Sequence, residues 1–195
     1  MEFENVLRLR RSVRAFRPDA LSDEQIGRLL AAAKLAPVGS AMYRDLHITV
    51  VRSQEKLLRL CEAAWKRFSS VEVVREIAGE ADTDPEAGTQ RPNLFYGAPV
   101  VFFLSHRRQT LQPGIEWANV TAVAAQMHLA ATDMGLGSCF MWGALESMRM
   151  FPELDHTALL ELPENFEPLL GLAVGYPADG PKKERPRREI GVNYV

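Results

Sequence analysis

Three arginines and a serine stand close together near the start of the chain. The run Arg10-Arg11-Ser12-Val13-Arg14 places three guanidinium groups and a hydroxyl within five residues. Each guanidinium presents a fixed fork of N–H donors that suits a phosphate or another delocalised anion. The same run is also typical of a solvated basic face at the end of a helix, where cations complement the helix dipole. Composition alone favours that solvated face, so both interpretations stay open.

Three later segments could contribute to a ligand site. Ala36-Pro37-Val38-Gly39-Ser40 reads as a helix stop followed by a turn, and such a turn can place peptide groups against a planar ligand. A glycine-rich stretch covers residues 135–143 and ends in Phe140-Met141-Trp142-Gly143, but it lacks the G-x-G-x-x-G spacing of a dinucleotide-binding fold. Lys183 and Arg185 add two cations near the end of the chain. Each segment alone is weak evidence.

The remaining reactive side chains do not form a recognisable metal or nucleophilic site. The two cysteines fit neither a disulfide framework nor a C-x-x-C pair, which favours a reducing compartment. Cys139, inside the glycine-rich stretch, is expected to be a small buried residue rather than a redox centre. No nucleophile elbow is visible, which argues against a hydrolase. No metal-ligand spacing links the histidines, and we expect no metal ion; they are His47, His106, His128 and His156.

Bulk properties exclude several classes of protein. The chain has 195 residues, a formal net charge of −2 and 47% hydrophobic residues. This near-neutral balance argues against a nucleic-acid-binding protein, which normally carries a strong basic excess. No apolar run reaches the roughly 18 residues of a membrane span, and the charged residues 1–11 do not resemble a secretory signal. We therefore predict a cytoplasmic protein that does not bind a membrane.

Local signals predict two helices near the N-terminus. An apolar repeat over residues 3–7 predicts a short first helix. Ser22, with Gln25 three residues later, predicts a capping box that begins the second helix. Leu21 is expected to pack against Ile26 as a hydrophobic staple across that cap.

Apolar runs predict three strands and a further helix. Residues 46–52 are rich in β-branched side chains and predict a strand. The uninterrupted apolar run at 99–105 predicts a strand buried on both faces, and residues 169–174 predict another strand. Between the first two strands, residues 54–68 predict a helix. Its core face is expected to comprise five side chains: Leu57, Leu58, Cys61, Trp65 and Phe68.

A long helix over residues 116–134 is apolar around most of its circumference, which predicts burial on more than one side. Helices and strands alternate irregularly, and this pattern indicates an α+β or a three-layer α/β protein rather than a regular βαβ series. No internal repeat and no linker divides the chain. We therefore expect a single domain over residues 1–195.

Taken in order, the segments resemble the nitroreductase family of flavoproteins over nearly the whole chain. The family has an R-R-S-V-R run, an A-P turn, a G-A-P strand entry, a G-L-G-S element and a terminal K-x-R motif at corresponding places; here the strand entry is Gly97-Ala98-Pro99. The resemblance implies a three-layer α/β/α fold with a central, mainly antiparallel sheet, in an intertwined homodimer. It also implies FMN as the cofactor.

The resemblance further assigns roles to individual residues. Arg10 and Ser12 would bind the FMN phosphate and ribityl chain with help from Lys183 and Arg185, while Arg11 would lie nearby. Arg14 would face the pyrimidine edge of the flavin. Residues 140–143 would lie along the isoalloxazine ring, with the Gly143 amide near N5. Pro37, Val38, Gly39 and Ser40 would come from the other subunit, because in this family each flavin sits at the dimer interface.

Two features depart from the commoner family pattern. Many members have an Asn, a Gln-Pro and a Trp after the A-P turn, whereas this chain has Ala41, Tyr43-Arg44 and Asp45 in that register. Trp142 is also bulkier than is usual beside the ring and is expected to narrow the access route. Both departures concern the substrate, which the sequence does not identify.

The activity that the resemblance implies is an NAD(P)H-dependent flavin oxidoreductase. Hydride from NADH or NADPH would reach flavin N5 and pass to a small acceptor such as a nitroaromatic or a quinone, without a catalytic side chain being required. Two alternatives remain open. The chain could bind flavin for storage or sensing, or its arginines could bind another anion altogether. Storage or sensing would be favoured by a pocket closed over the ring by aromatic residues, namely Trp142, Trp65, Phe68, Phe95 and Tyr96.

Overall fold

The computed structural model of the protein describes residues 1–68, 93–142, 144–145, 156–180 and 189–195. Within these ranges the elements follow in this order: α1 (Phe3–Leu9), α2 (Asp23–Lys34), β1 (Leu46–Val51), α3 (Gln54–Phe68), β2 (Val100–Arg107), α4 (Ile115–Asp133), β3 (Gly137–Met141), α5 (His156–Leu159) and β4 (Phe166–Gly175). The predicted helices and strands are all present, and β2 and β4 extend beyond their predicted ends.

The four strands form one sheet in the order β1-β2-β4-β3. Every neighbouring pair is antiparallel, and a bulge interrupts the β2–β4 register between Leu104 and Ser105. The α+β prediction with an antiparallel sheet is therefore confirmed. β2 and β4 are the inner strands, and β1 and β3 are the two edges of the sheet.

Alternating side chains of β2 pack into two separate hydrophobic cores. Val100, Phe102 and Leu104 pack with residues of α2 and α4 in the first core. Val101 and Phe103 point to the other face and pack with residues of α3 in the second core. Because successive side chains of a strand point to opposite faces, the two cores lie on opposite sides of the sheet. The prediction that this strand is buried on both faces is confirmed.

The capping box at the start of α2 forms as predicted. The Gln25 backbone N–H donates to Ser22 Oγ at 3.1 Å, and the Ser22 N–H donates to Gln25 Oε1 at 2.9 Å. Leu21 and Ile26, the two members of the staple, are both buried in the first core. These local contacts satisfy N–H groups that the helix itself cannot pair.

The bounds of α3 match the prediction, but one residue was wrongly assigned to its buried face. Leu57 and Cys61 are buried, as expected, whereas Leu58 is 53% exposed and Leu60 is fully buried. Positions three and four apart share a helix face, so Leu57, Leu60 and Cys61 form the stripe and Leu58 lies about 100° away. The side chains of Trp65 and Phe68 lie outside the described residues.

The long helix α4 spans Ile115–Asp133, one residue earlier at each end than predicted. Its buried side chains include Asn119 and His128, two polar residues on an otherwise apolar helix. Among the described helices, none combines the length and the apolar character needed to cross a membrane. The two buried polar residues of α4 each hold one of the predicted site segments.

Candidate functional site

The arginine-rich segment lies beside the first residues of β3. Ser12 forms a parallel bridge with Ser138, and the Val13 N–H donates to the Ser138 carbonyl at 3.0 Å. A Cβ on Gly137 would stand 2.8 Å from the side chain of Val13, so glycine is what permits this close approach. The glycines are apparent in the sequence, whereas the strand β3 to which Gly137 belongs was not predicted.

The same N-terminal segment continues beside the chain that leaves β4. The Ala178 N–H donates to the Ala15 carbonyl at 3.0 Å. The fold therefore brings the region after β4 next to the arginine-rich segment, although the two are more than 160 residues apart in sequence. Lys183 and Arg185 lie outside the described residues, a few positions further along the chain.

A buried histidine of α4 connects Arg10 to β3. Arg10 Nη1 lies 2.8 Å from His128 Nε2, and His128 Nδ1 contacts Ser138 Oγ. A guanidinium group has no acceptor, so His128 must accept at Nε2 and carry its proton on Nδ1, which donates to Ser138. The imidazole centroid is 5.5 Å from the Phe140 ring. These contacts fix both the tautomer and the orientation of the histidine.

Burial and the Arg10 charge, in that order, lower the pKa of His128 to about 4. Both effects disfavour a second positive charge at this place, so His128 is neutral near pH 7. No role was predicted for this residue, because its spacing from the other histidines fits no metal site. The available signal was its position on α4, since a polar residue among buried alanines requires partners.

The three arginines of the segment differ in exposure. Arg10 and Arg11 are half-buried, whereas Arg14 is exposed. The Arg14 charge lies close enough to Cys139 to oppose the effect of burial, which raises the pKa of that thiol. No ion pair within the described residues involves Arg10 or Arg14. Cys139 is buried with a raised pKa, as a packed residue rather than a reactive thiol would be.

The end of β3 presents its residues in different directions. Phe140 packs against the first core, while Met141 is buried in the second core on the opposite face of the sheet. Trp142 follows and is 54% exposed, with its ring centroid 5.0 Å from that of Trp117 on α4. Gly143 lies outside the described residues. Of the predicted segment 140–143, the described side chains on the α4 side of the sheet are therefore those of Phe140 and Trp142.

The predicted turn is held on α4 by a second buried polar network. The Gly39 N–H donates to Asn119 Oδ1 at 2.8 Å, and Asn119 Nδ2 lies 3.2 Å from His106 Nε2. His106 Nε2 therefore accepts, and its Nδ1, 2.6 Å from the Arg107 carbonyl, carries the proton. A chain of hydrogen bonds thus runs from β2 through α4 to the turn. Neither Asn119 nor His106 was a candidate in the sequence analysis.

The turn itself has an uncommon backbone. Ser40 and Ala41 adopt positive φ angles of 54° and 52°. Two successive non-glycine residues in the left-handed region carry strain, which persists where surrounding contacts hold it. Ser40 Oγ donates to Gln112 Oε1 at 3.0 Å and supplies one such contact. Pro37, Gly39 and Ser40 are exposed, while Val38 is half-buried.

The two groups of site residues lie on opposite flanks of α4. At about 100° per residue, Trp117 and His128 fall within roughly 20° of each other around the helix axis. Asn119, which holds the turn, falls roughly 200° from Trp117. Within one chain, the arginine-rich segment and β3 therefore adjoin one flank of α4, and the 37–40 turn adjoins the other.

Comparison with known proteins identifies a consistent set of relatives. The sequence profile described as "Nitroreductase family" matches residues 7–176. The chain is 27% identical over 173 residues to an Archaeoglobus fulgidus protein with the provisional name NADH dehydrogenase/NAD(P)H nitroreductase, covering 87% of this chain and 82% of that one. It is 42% identical to "FMN reductase (NADPH)" of Bacillus subtilis strain 168, but over only 73 residues, or 35% of this chain and 27% of that relative.

A solved structure shares the fold over its whole length. The structure of an FMN-dependent nitroreductase from Clostridium difficile R20291 superimposes with a TM-score of 0.77 at 26% sequence identity. The match covers 100% of this chain and 99% of the other. The antiparallel sheet and its covering helices are thus a known arrangement.

Proposed function

The chain belongs to the nitroreductase family, and from this premise we propose that it is an FMN-dependent oxidoreductase. Bound FMN supplies hydride transfer at N5, from NADH or NADPH to a small acceptor such as a nitroaromatic or a quinone. We further propose that residues 1–195 form one FMN-binding domain with a three-layer α/β/α arrangement. The protein supplies binding, orientation and charge.

The observation that carries this proposal is the meeting of Arg10, Ser12 and Arg14 with the start of β3. Residues 12–13 pair with the backbone of β3 at Ser138, and Arg10 contacts His128, whose ring centroid lies 5.5 Å from that of Phe140. Ser12 and Arg14 lie near Cys139 of the same strand. This donor set suits a ligand that combines a phosphate with a planar aromatic ring. The residues described therefore fit FMN.

Each residue then has a defined task toward the ligand. Arg10 and Ser12 bind the phosphate and the ribityl chain, and Lys183 and Arg185 complete the phosphate site from the other end of the chain. The contact between Ala178 and Ala15 supports that pairing, because it brings the two ends of the chain together. Arg14 would face the pyrimidine edge of the flavin, where its charge would stabilise the negative charge that develops on reduction.

The position of the turn supports the proposed homodimer. Since Pro37, Val38, Gly39 and Ser40 lie on the flank of α4 away from β3, they reach a flavin held by β3 most directly from a second copy. A closed two-fold dimer is the commonest soluble assembly, and in it each copy would complete the site of the other. The C-terminal tail exposes apolar side chains, among them Ile190 and Val192. Exposed apolar surface of this kind supports the proposal that a second copy covers the tail.

The storage or sensing alternative depends on aromatic residues that close over the ring, and two of them do not fit that role. Phe95 is fully buried in the second core, where its ring centroid lies 5.8 Å from that of Phe103. Trp142 is more than half exposed and packs against Trp117, which leaves its outer face toward solvent. These positions favour turnover over a sealed flavin.

Anaerobic stopped-flow measurements separate these functions. We expect NADH or NADPH to bleach the flavin absorbance of the purified protein, and a quinone or nitroaromatic added second to restore it. The two nicotinamides are tested separately to establish the preference. Bleaching without recovery by any acceptor would support storage or sensing, and no bleaching by either nicotinamide would contradict the proposed enzyme.

A further inference from the structure

We propose that His128 is a positioning residue, which holds the Arg10 guanidinium in the orientation that binds the cofactor phosphate. The proposal rests on the proposed FMN function and adds to it a residue that acts through Arg10 and need not touch the cofactor. It depends on three features of the described residues: the direction of the hydrogen bond, the burial of the imidazole and the clamping of its ring.

The direction of the hydrogen bond leaves most of the arginine donors available. Arg10 donates one N–H from Nη1 to His128 Nε2 at 2.8 Å. A guanidinium carries five N–H donors in a rigid plane, so anchoring one nitrogen sets the plane for the others. A long flexible side chain is thereby pre-organised, which reduces the conformational entropy lost when an anion binds.

A neutral acceptor is needed for this purpose. A carboxylate in place of His128 would neutralise the guanidinium and weaken its attraction for a phosphate. A protonated imidazole would repel it. Burial and the neighbouring Arg10 charge lower the pKa of His128 to about 4, so the side chain accepts a hydrogen bond without cancelling the charge of Arg10.

The imidazole is itself held from the other side. Its Nδ1–H donates to Ser138 Oγ on β3, and its ring meets Phe140. Only 4% of His128 is exposed. The strand that adjoins the arginine-rich segment therefore also fixes the acceptor for Arg10, which couples the position of the guanidinium to that of β3.

Affinities for FMN and riboflavin, measured in parallel, test this role, since riboflavin lacks the phosphate. In the full chain, His128→Leu should weaken FMN binding roughly ten- to hundredfold, the range expected for a lost hydrogen bond to a charged group. Its affinity for riboflavin should change by less than about twofold. The ratio of the two affinities is the informative quantity, because general damage to the fold would weaken both ligands.

Two isosteric variants resolve the role of each ring nitrogen. The Gln side-chain oxygen in His128→Gln can reach the place of Nε2 and should restore most of the FMN affinity. His128→Asn can replace the Nδ1 donor toward Ser138 but not the acceptor for Arg10, and should resemble His128→Leu. His47→Leu is the matched control, because His47 lies on β1 at the opposite edge of the sheet from β3.

A double-mutant cycle completes the test. In an Arg10→Ala background, His128→Leu should cause no further loss of FMN affinity, because the residue on which it acts is absent. Equal losses for FMN and riboflavin, full additivity with Arg10→Ala, or failure of Gln to restore more than Asn would each overturn the role of His128. Wild-type protein that binds neither ligand would instead refute the proposed FMN function.

Discussion

At the scale of single residues, His128 makes the stability of the protein depend on pH. Its pKa in the folded protein is about 4, below the ordinary histidine value of 6.5, because burial and Arg10 disfavour the charged form. The unfolded chain therefore takes up a proton first as the pH falls. Stability from this group is complete above about pH 6.5 and is lost as the pH falls toward 4.

We expect His128 to lower the free energy of unfolding by about 2 kcal/mol between pH 7.5 and pH 5. Urea unfolding at the two pH values measures this change in the wild type and in His128→Gln, which cannot be protonated there. The variant should lack this component while keeping the contributions of all other groups. An identical pH dependence in both proteins would show that His128 is not held neutral.

Lys183 and Arg185 provide the second test at this scale. If both bind the FMN phosphate, their joint replacement by Ala should cost about 3–6 kcal/mol of binding free energy, since each charged hydrogen bond contributes about 1.5–3 kcal/mol. FMN affinity would fall roughly a hundred- to ten-thousandfold, while riboflavin binding should hardly change. Titration of both flavins measures the difference.

The control for that experiment removes equal charge from another surface. Arg52 and Lys56 form exposed ion pairs with Asp23 and Glu161, and replacing them by Ala should leave both flavin affinities unchanged. Equal losses for FMN and riboflavin in the Lys183 and Arg185 double variant would mean that neither residue binds the phosphate.

Residue types alone revealed only part of the site. Arginines attract attention because their chemistry is specific, and the family resemblance gave them roles. His128, Asn119 and His106 have common types and no motif, and their importance arises from partners brought together by the fold. Buried polar groups need such partners, but a linear sequence does not show which ones they find.

At the scale of elements, the pairing of β3 with the arginine-rich segment depends on a single residue, Gly137. A Cβ there would meet the side chain of Val13 at 2.8 Å, a distance that requires a shift. Gly137→Ala should therefore displace residues 12–13 from β3 and lower both stability and FMN affinity. Urea unfolding and FMN titration measure the two effects.

Gly27 on α2 provides the matched control, because nothing lies within 4 Å of a Cβ added there. Alanine in the middle of a helix is more favourable than glycine by roughly 0.5–1 kcal/mol. Gly27→Ala should thus stabilise the protein and leave FMN affinity unchanged. A Gly137→Ala variant that behaves like Gly27→Ala would show that the close approach of the two segments is unimportant.

Local sequence signals correctly predicted those helices and strands whose defining features lie within a few consecutive residues. The capping box of α2 and the apolar run of β2 are complete within a few residues, and both appeared as expected. β3 was missed because it is short and glycine-containing, and it pairs with a strand that begins about 25 residues later in the chain. The exposure of Leu58 shows that a strong apolar pattern still leaves the exact buried stripe undetermined.

At the scale of the whole molecule, the exposed back of α4 is the surface on which the dimer can be tested. Ala118, Thr121 and Ala125 are exposed there, and we expect light scattering to report twice the 21.8 kDa chain mass. Ala125→Arg places a large charge on this surface and should yield monomers that have also lost flavin, because the 37–40 turn of the second copy is removed.

Ala31→Arg places the same charge on an exposed position of α2 and is expected to leave the dimer intact. A wild-type protein that is monomeric while its flavin remains bound would refute the shared site. In that case the turn would have a different task, and the buried network from His106 through Asn119 to Gly39 would serve the fold of the single chain.

The identity and amount of bound flavin test the central proposal most directly. Purified protein should be yellow, and denaturation should release FMN rather than FAD, at about one molecule per chain, as measured by chromatography of the supernatant. The cationic segment beside β3 suits a ligand that ends in a single phosphate. Protein that is colourless and takes up no FMN when the cofactor is supplied would contradict the account.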